Sequence, residues 1–145
     1  MKLRAVLPDE LPCIRAMLSA ATLPTEDLGG GAVQFIVADS EDGVVGAIGL
    51  ETFGNVGLLR SLVVRPELRG VGIGGQLVIA LETHARENNV DQLVLLTQTA
   101  APFFTARGYG AIDRKDAPHS VQSSAEFRSL CPASATCMIK SLCQP

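Results

Sequence analysis

The sequence predicts an α+β fold of three layers, in which helices flank a mixed, mostly antiparallel sheet of about six to seven strands. Two features carry this prediction. Three β-rich segments between residues 33 and 64 are separated only by short turns, which is typical of an antiparallel meander. A glycine-rich loop, a helical segment and a short apolar run follow in that order, which is typical of a crossover between parallel strands. We expect a single domain over residues 1–145.

The first half of the chain predicts a strand, a helix and the meander. Residues 3–6 favour a short strand, which ends before Pro8. Apolar residues recur at helical spacing from Leu11 onward and predict a helix that ends near Thr22. Residues 25–28 favour a second, short helix. The meander strands are predicted at residues 33–39, 44–52 and 56–64.

The second half predicts the crossover and the remainder of the sheet. The sequence favours helices at residues 75–88, 100–107 and 123–130. It favours strands at residues 91–97, 109–112 and 135–142. A polar loop is predicted at residues 113–120. The C-terminal strand is a possible edge through which a homodimer could pair.

The composition argues against several classes of protein. Hydrophobic residues make up 47% of the chain, enough for one packed core, and the net charge of −3 lacks the basic character of a nucleic-acid binder. No apolar run approaches the roughly 20 residues that span a bilayer. We therefore expect a cytoplasmic protein without membrane contact. Two distant histidines and four cysteines without a Cys-x-x-Cys pair give little support for a metal site.

The segment that points to a function is the run Arg69-Gly70-Val71-Gly72-Ile73-Gly74-Gly75, which links a predicted strand to a predicted helix. Glycine allows a positive φ and a close approach of the backbone to a ligand. The free N–H groups and the dipole of a helix N-terminus favour an anion, and Arg69 adds a positive charge. This local chemistry suits a pyrophosphate.

Two common phosphate-binding motifs do not fit this run. A dinucleotide site of the Rossmann type needs Gly-x-Gly-x-x-Gly after the first strand of a parallel unit, whereas here Gly70, Gly72 and Gly74 alternate behind an antiparallel meander. A P-loop needs Gly-Lys-Ser/Thr at its end, which is absent.

The run resembles the acyl-coenzyme A signature of the Gcn5-related N-acetyltransferases (GNAT). The preceding Leu62-Val63-Val64-Arg65-Pro66 is similar to the family's strand that leads into the loop. The segment Ala101-Pro102-Phe103-Phe104-Thr105-Ala106-Arg107-Gly108-Tyr109 is similar to its helix-to-strand element. The resemblance spans nearly the whole chain, and the order of elements agrees with it.

The resemblance implies acetyl-CoA as cosubstrate and direct transfer of its acetyl group to an amine, with no metal. The Val63 amide would face the thioester carbonyl and stabilise the negative charge that develops on its oxygen. The implied cofactor contacts are Leu62, Val63, Val64, Arg69, Gly70, Val71, Gly72, Ile73, Gly74, Gly75 and Phe104.

Two proton transfers remain, since the amine has to lose a proton and the leaving thiolate can take one up. Many relatives place a tyrosine where this chain has Phe104, which has no ionisable proton, so coenzyme A would leave as the thiolate or take a proton from water. Glu51, at the end of a predicted strand, is the candidate general base through a water. Glu26 is a second candidate, near the substrate. His119 has a suitable pKa for a base but is expected to be exposed in a polar loop.

Arg60 stands out because it is a charged residue inside the apolar segment Val56-Gly57-Leu58-Leu59-Arg60-Ser61-Leu62. A charge in such a strand is costly unless it is paired. Two alternatives remain open at this point. Arg60 could bind a carboxylate or oxyanion of the substrate, or it could pair with Glu51 across the meander.

Three runs, at residues 23–28, 58–64 and 126–135, are together similar to a narrower group, the N-acetyltransferases of arsenic-resistance operons. This resemblance implies a small amine as acceptor, such as an amino-acid-like toxin of the phosphinothricin or arsinothricin type. Binding of arsenic by Cys131 and Cys137 is a further hypothesis. The rival hypotheses are a non-catalytic acyl-CoA sensor on the same fold and a protein N-acetyltransferase.

Overall fold

The computed structural model describes residues 1–23, 25, 33–41, 43–130 and 134–142. The strands within these residues are β1 Lys2–Ala5, β2 Val33–Ser40, β3 Gly43–Phe53, β4 Val56–Val64, β5 Gln92–Thr97, β6 Gly110–Ile112 and β7 Thr136–Ser141. The α-helices are α1 Leu11–Ala20, α2 Ile73–Glu87, α3 Ala101–Thr105 and α4 His119–Gln122. The strands form one sheet in the order β1-β2-β3-β4-β5-β7-β6. The predicted fold class is confirmed.

The meander and the crossover both form as the sequence predicts. Strands β1 and β2 pair antiparallel, as do β2 and β3, and β3 lies beside β4. Strand β4 then pairs in parallel with β5, where Val56, Gly57 and Leu58 face Gln92, Leu93 and Val94. A parallel pair needs a long connection, and the glycine-rich loop with helix α2 supplies it.

The chain divides into two compact units. The first unit comprises Met1–Glu51 and Arg60–His84. Its core joins α1 to strands β2, β3 and β4 through Ile14, Leu18, Phe35, Val37, Val44, Ala47 and Val63. Helix α2 packs on β3 at Gly46, where an added Cβ would lie 3.1 Å from Leu77 Cδ1 and 3.5 Å from Ile73 Cγ2. The glycine thus allows the helix to approach the strand closely.

The second unit comprises Thr52–Leu59 and Ala85–Pro145. Strand β7 pairs antiparallel with β5 along its whole length and with β6 on its other side. Its core gathers Val56, Val94, Ala117, Val121 and Cys137. The expectation that the C-terminal strand offers a free edge is therefore wrong, since β7 lies inside the sheet and β6 forms the edge.

The segment between β6 and β7 departs from the sequence prediction. A single 3₁₀ turn at Arg114–Asp116 and helix α4 occupy most of the predicted polar loop. The predicted helix at 123–130 is a π-type turn over Glu126–Leu130. The predicted short helix at 25–28 lies almost wholly outside the described residues. Among the described residues, no helix has the length and apolar character needed to cross a membrane.

Candidate functional site

The glycine-rich loop leaves β4 through a short 3₁₀ turn and then opens. The Arg65 amide donates to the Val45 carbonyl at 2.9 Å, which ties the start of the loop to β3. Gly70 and Gly72 take φ values of 86° and 93°, a region that favours glycine. Nothing lies within 4 Å of a Cβ built on either residue, and Val71 between them is 66% exposed. The loop backbone is thus open to solvent.

Helix α2 begins directly behind this loop. The Gln76 amide donates to the Gly72 carbonyl at 3.1 Å, so the helical hydrogen bonds start at Gly72 and the helix begins earlier than predicted. The amides of Ile73, Gly74 and Gly75 lie in the first turn, where a helix has no acceptor for them. No acidic residue occupies that turn. The helix start can therefore bind an anion through these N–H groups.

Arg69 places a positive charge beside the loop. It is exposed, and its Nε donates to the Val64 carbonyl at 3.1 Å. A guanidinium carries five N–H donors, so one contact holds the side chain at the end of β4 while others can reach an anion. The charge of Arg69 and the partial charge at the N-terminus of α2 are thus both positive.

The Val63 side chain, near the end of β4, is buried in the core. Val63 is 5% exposed and lies in the core of the first unit, where it packs with residues of α1, β2 and β3. A Cβ on Gly46 would lie 3.1 Å from the Val63 carbonyl oxygen. The backbone of Val63 therefore lies close to β3.

Arg60, three residues before Val63 in β4, forms an ion pair with Glu51 of β3. Arg60 Nη1 donates to Glu51 Oε1 at 3.1 Å, and Arg60 Nε donates to Ser61 Oγ at 3.2 Å. The Arg60 side chain has no exposed surface, whereas that of Glu51 is 12% exposed. The pairing across the meander, one of the two alternatives that the sequence left open, is present. It explains how an apolar strand accommodates a charge.

Phe104 lies in the second unit among other aromatic rings. It is 4% exposed, and its ring meets the edges of Phe103 and Tyr109 at centroid distances of 5.0 and 5.5 Å. The Tyr109 amide donates to the Phe104 carbonyl at 3.1 Å and closes the turn after α3. These contacts give Phe104 a packing role, and its predicted contact with the cofactor stays a prediction.

Residues 31–110 match the model of the acetyltransferase (GNAT) domain family, and this match covers more than half of the chain. The chain belongs to the GNAT family. No curated protein matches this GNAT chain significantly.

Solved structures share its fold. One is N-acetylglutamate synthase from Neisseria gonorrhoeae, complexed with coenzyme A and N-acetyl-glutamate. Its sequence is 17% identical to this chain over 99% of this chain's length, with a TM-score of 0.83. The GNAT chain spans only 35% of that synthase. Rv2747 from Mycobacterium tuberculosis, complexed with CoA and NLQ, is 25% identical with a TM-score of 0.83, over 99% of this chain and 100% of its own. A GNAT acetyltransferase from Staphylococcus aureus is 19% identical with a TM-score of 0.81, over 98% of this chain and 99% of its own.

The structure describes only some of the remaining predicted site residues of this GNAT chain. Glu26 lies outside the described residues, as does Cys131. His119 is exposed at the start of α4. Cys137 lies in the core of the second unit, where burial raises the pKa of its thiol to about 11 although the charge of Arg114 acts to lower it.

Sequence reasoning missed Ser61. This residue sits inside β4 with a φ of 59°, the left-handed region, and its hydroxyl accepts the hydrogen bond from Arg60. A serine in a strand segment carries no signal of such a conformation. Its position in the sequence was the available hint that it could matter. Ser61 follows the charged Arg60 and comes two residues before Val63, which the resemblance places at the thioester.

Proposed function

We propose that this GNAT protein is an acetyl-CoA-dependent N-acetyltransferase that transfers the acetyl group directly to the amine of a small molecule. The observation that carries the proposal is the start of α2. There, two glycines with positive φ lead into a helical turn without an acidic residue, next to Arg69. This arrangement fits a pyrophosphate, because backbone N–H groups, the helix dipole and a guanidinium all favour negative charge.

Different residues of the first unit bind different parts of acetyl-CoA. The amides from Gly70 to Gly74 bind the pyrophosphate, and Gly75 completes the first helical turn. The Arg69 amide already donates to the Pro66 carbonyl at 3.4 Å, so Arg69 contributes its guanidinium instead. The backbone of Leu62, Val63 and Val64 pairs with the pantetheine arm as a neighbouring strand would. Bound acetyl-CoA supplies an activated thioester, and positioning beside the Val63 amide accounts for much of the catalysis.

Glu51 is the proposed general base. Its side chain keeps a small exposed fraction, so its carboxylate can take the proton of the amine through one water. Arg60 holds one carboxylate oxygen at 3.1 Å, which fixes the orientation of the group. Phe104 offers no proton, so we propose that the thiolate leaves as such or is protonated by water.

For the acceptor we propose an amino-acid-like amine, with toxins of the phosphinothricin or arsinothricin type as the first compounds to test. The N-acetylglutamate synthase of similar fold is complexed with an N-acetylated amino acid, which supports this class. The sequence predictions that Glu26 binds the acceptor, that the protein serves arsenic resistance in the cytoplasm and that it forms a homodimer remain proposals. Binding of the acceptor by Arg60, which the sequence also predicted, is the less favoured alternative, because its buried guanidinium already pairs with Glu51.

The rival function is an acyl-CoA sensor without turnover, which the phenylalanine at position 104 favours. The test incubates the protein with acetyl-CoA and a panel of amines that includes glutamate, glutamine and phosphinothricin. Chromatography should quantify coenzyme A and the acetylated product, because a thiol reagent would also react with the exposed Cys13. We expect product from at least one amine. Binding of acetyl-CoA without product from any amine would favour the sensor instead.

A further inference from the structure

Ser61 is the strained residue of strand β4. Its φ of 59° is left-handed, a conformation that costs free energy for a residue with a side chain and persists only where the surroundings enforce it. Ser61 is 7% exposed, so it lies within the packed sheet rather than at a turn. A left-handed residue inside a strand interrupts the regular alternation and redirects the peptide groups that follow it. The groups that follow are those of Leu62 and Val63.

The Ser61 hydroxyl is in contact with the preceding residue. Arg60 Nε donates to Ser61 Oγ at 3.2 Å, and the other end of the guanidinium is fixed by Glu51 Oε1 at 3.1 Å. The Arg60 side chain is wholly buried, whereas the Glu51 side chain keeps 12% exposure at the other end of the ion pair. One side chain thus links the candidate base on β3 to the strained residue on β4.

We infer that Arg60 is a positioning residue, which holds Ser61 in its left-handed conformation and thereby aims the Val63 amide at the thioester carbonyl. This inference rests on the proposed function. It assigns Arg60 a role different from that of a substrate anchor. A guanidinium with no exposed surface and two hydrogen-bonded ends acts through its neighbours, whereas an anchor would have to reach an acceptor molecule.

The experiment measures polarisation of the bound thioester without any acceptor. Acetyl-CoA labelled with ¹³C at its carbonyl is added to the protein, and the carbonyl stretch is recorded by difference infrared spectroscopy. A hydrogen bond from the Val63 amide lowers this frequency. Four proteins are compared: wild type, Arg60→Met, Ser61→Ala and Ser61→Asn. Calorimetry gives the affinity of each for acetyl-CoA.

The variants distinguish loss of the Arg60–Ser61 hydrogen bond from a general disturbance of the fold. Ser61→Ala removes only the hydroxyl, whereas Ser61→Asn keeps an acceptor for Arg60 Nε and tolerates the left-handed region. We expect wild type and Ser61→Asn to lower the carbonyl frequency. We expect Ser61→Ala and Arg60→Met to lose most of that shift while affinity for acetyl-CoA changes by less than about threefold. Should Arg60→Met fail to fold, the Ser61 pair carries the test alone.

Two outcomes would overturn the inference. A full wild-type shift in Ser61→Ala would show that the hydroxyl contact does not aim the amide. A wild type that binds acetyl-CoA without any shift would show that there is no polarisation to position. Both leave acetyl-CoA binding intact, whereas failure of wild type to bind acetyl-CoA at all would refute the proposed function itself.

Discussion

Gly49 of β3 lies against the backbone carbonyl of Arg60 in β4. A Cβ built on Gly49 would stand 3.2 Å from the Arg60 carbonyl oxygen, 3.2 Å from Phe35 Cε1 and 2.8 Å from Val33 Cγ1. The absence of a side chain at this position therefore lets β3 approach the part of β4 that carries the ion pair and the strained serine.

Replacement of this glycine should destabilise the protein. Gly49→Ala forces Val33 or the β4 backbone to move, and overpacking of this kind costs about 1–3 kcal/mol of unfolding free energy. Urea denaturation followed by circular dichroism measures the change.

Gly110→Ala is the matched control for this replacement. Gly110 lies in β6, and nothing stands within 4 Å of a Cβ built there. We expect its stability to stay within about 0.5 kcal/mol of wild type, as for other surface changes. Equal stabilities for the two variants would mean that β3 and β4 are not as closely packed as described.

The positive charge of Arg69 should contribute to binding of acetyl-CoA. Arg69→Gln removes the charge beside the helix start, so we expect the dissociation constant to rise by roughly three- to tenfold at low ionic strength and by less at high salt. Calorimetric titration at two salt concentrations measures both effects.

Arg15→Gln serves as the control for Arg69→Gln. Arg15 is exposed on α1, and its loss changes the net charge of the protein by the same amount. We expect its affinity to match that of wild type. If both variants lost affinity equally, the net charge rather than the position of Arg69 would govern binding.

Cys137 should resist alkylation while Cys13 reacts. Cys137 is 2% exposed and its thiol has a pKa of about 11, whereas Cys13 is exposed. Since the thiolate is the nucleophile, iodoacetamide at pH 8 should modify Cys13 in the folded protein and Cys137 only after unfolding. Peptide mapping by mass spectrometry assigns each cysteine separately. Rapid modification of native Cys137 would contradict its placement in the core.

The same pKa predicts how stability depends on pH. Folding raises the pKa of the Cys137 thiol from 9.0 to about 11, so the folded state favours the protonated form. Its contribution to stability is complete below pH 9 and is lost as the pH rises towards 11. Cys137→Ala should remove this part of the alkaline decline in a series of urea titrations.

Sequence reasoning found the elements whose pattern is local. Strand β4 lies at residues 56–64 as predicted, because a long apolar segment after a Gly-Asn turn has few alternatives. The positive φ at Gly70 and Gly72 was also foreseeable, since the loop has to turn into a helix within a few residues. These features lead directly to the predicted anion site.

The features that depend on distant partners were not foreseeable. The pattern of β7 specifies a strand but not its neighbours, so its place between β5 and β6 could not be predicted. The ion pair of Arg60 with Glu51 was one of two alternatives, because composition alone does not tell which partner a buried charge meets. The conformation of Ser61 had no local signal at all.

The proposed binding of acetyl-CoA depends above all on the loop that ends in α2, and one titration tests this dependence most directly. Acetyl-CoA is titrated by calorimetry into wild type, Gly72→Val and Gly110→Val. Valine is strongly disfavoured at the φ of 93° that Gly72 adopts, whereas Gly110 lies in a strand with open space around its α-carbon. We predict that wild type and Gly110→Val bind alike and that Gly72→Val binds at least about tenfold more weakly, a loss of about 1.4 kcal/mol. Equal binding by a folded Gly72→Val, or no binding by wild type, would contradict the proposed pyrophosphate site at the start of α2.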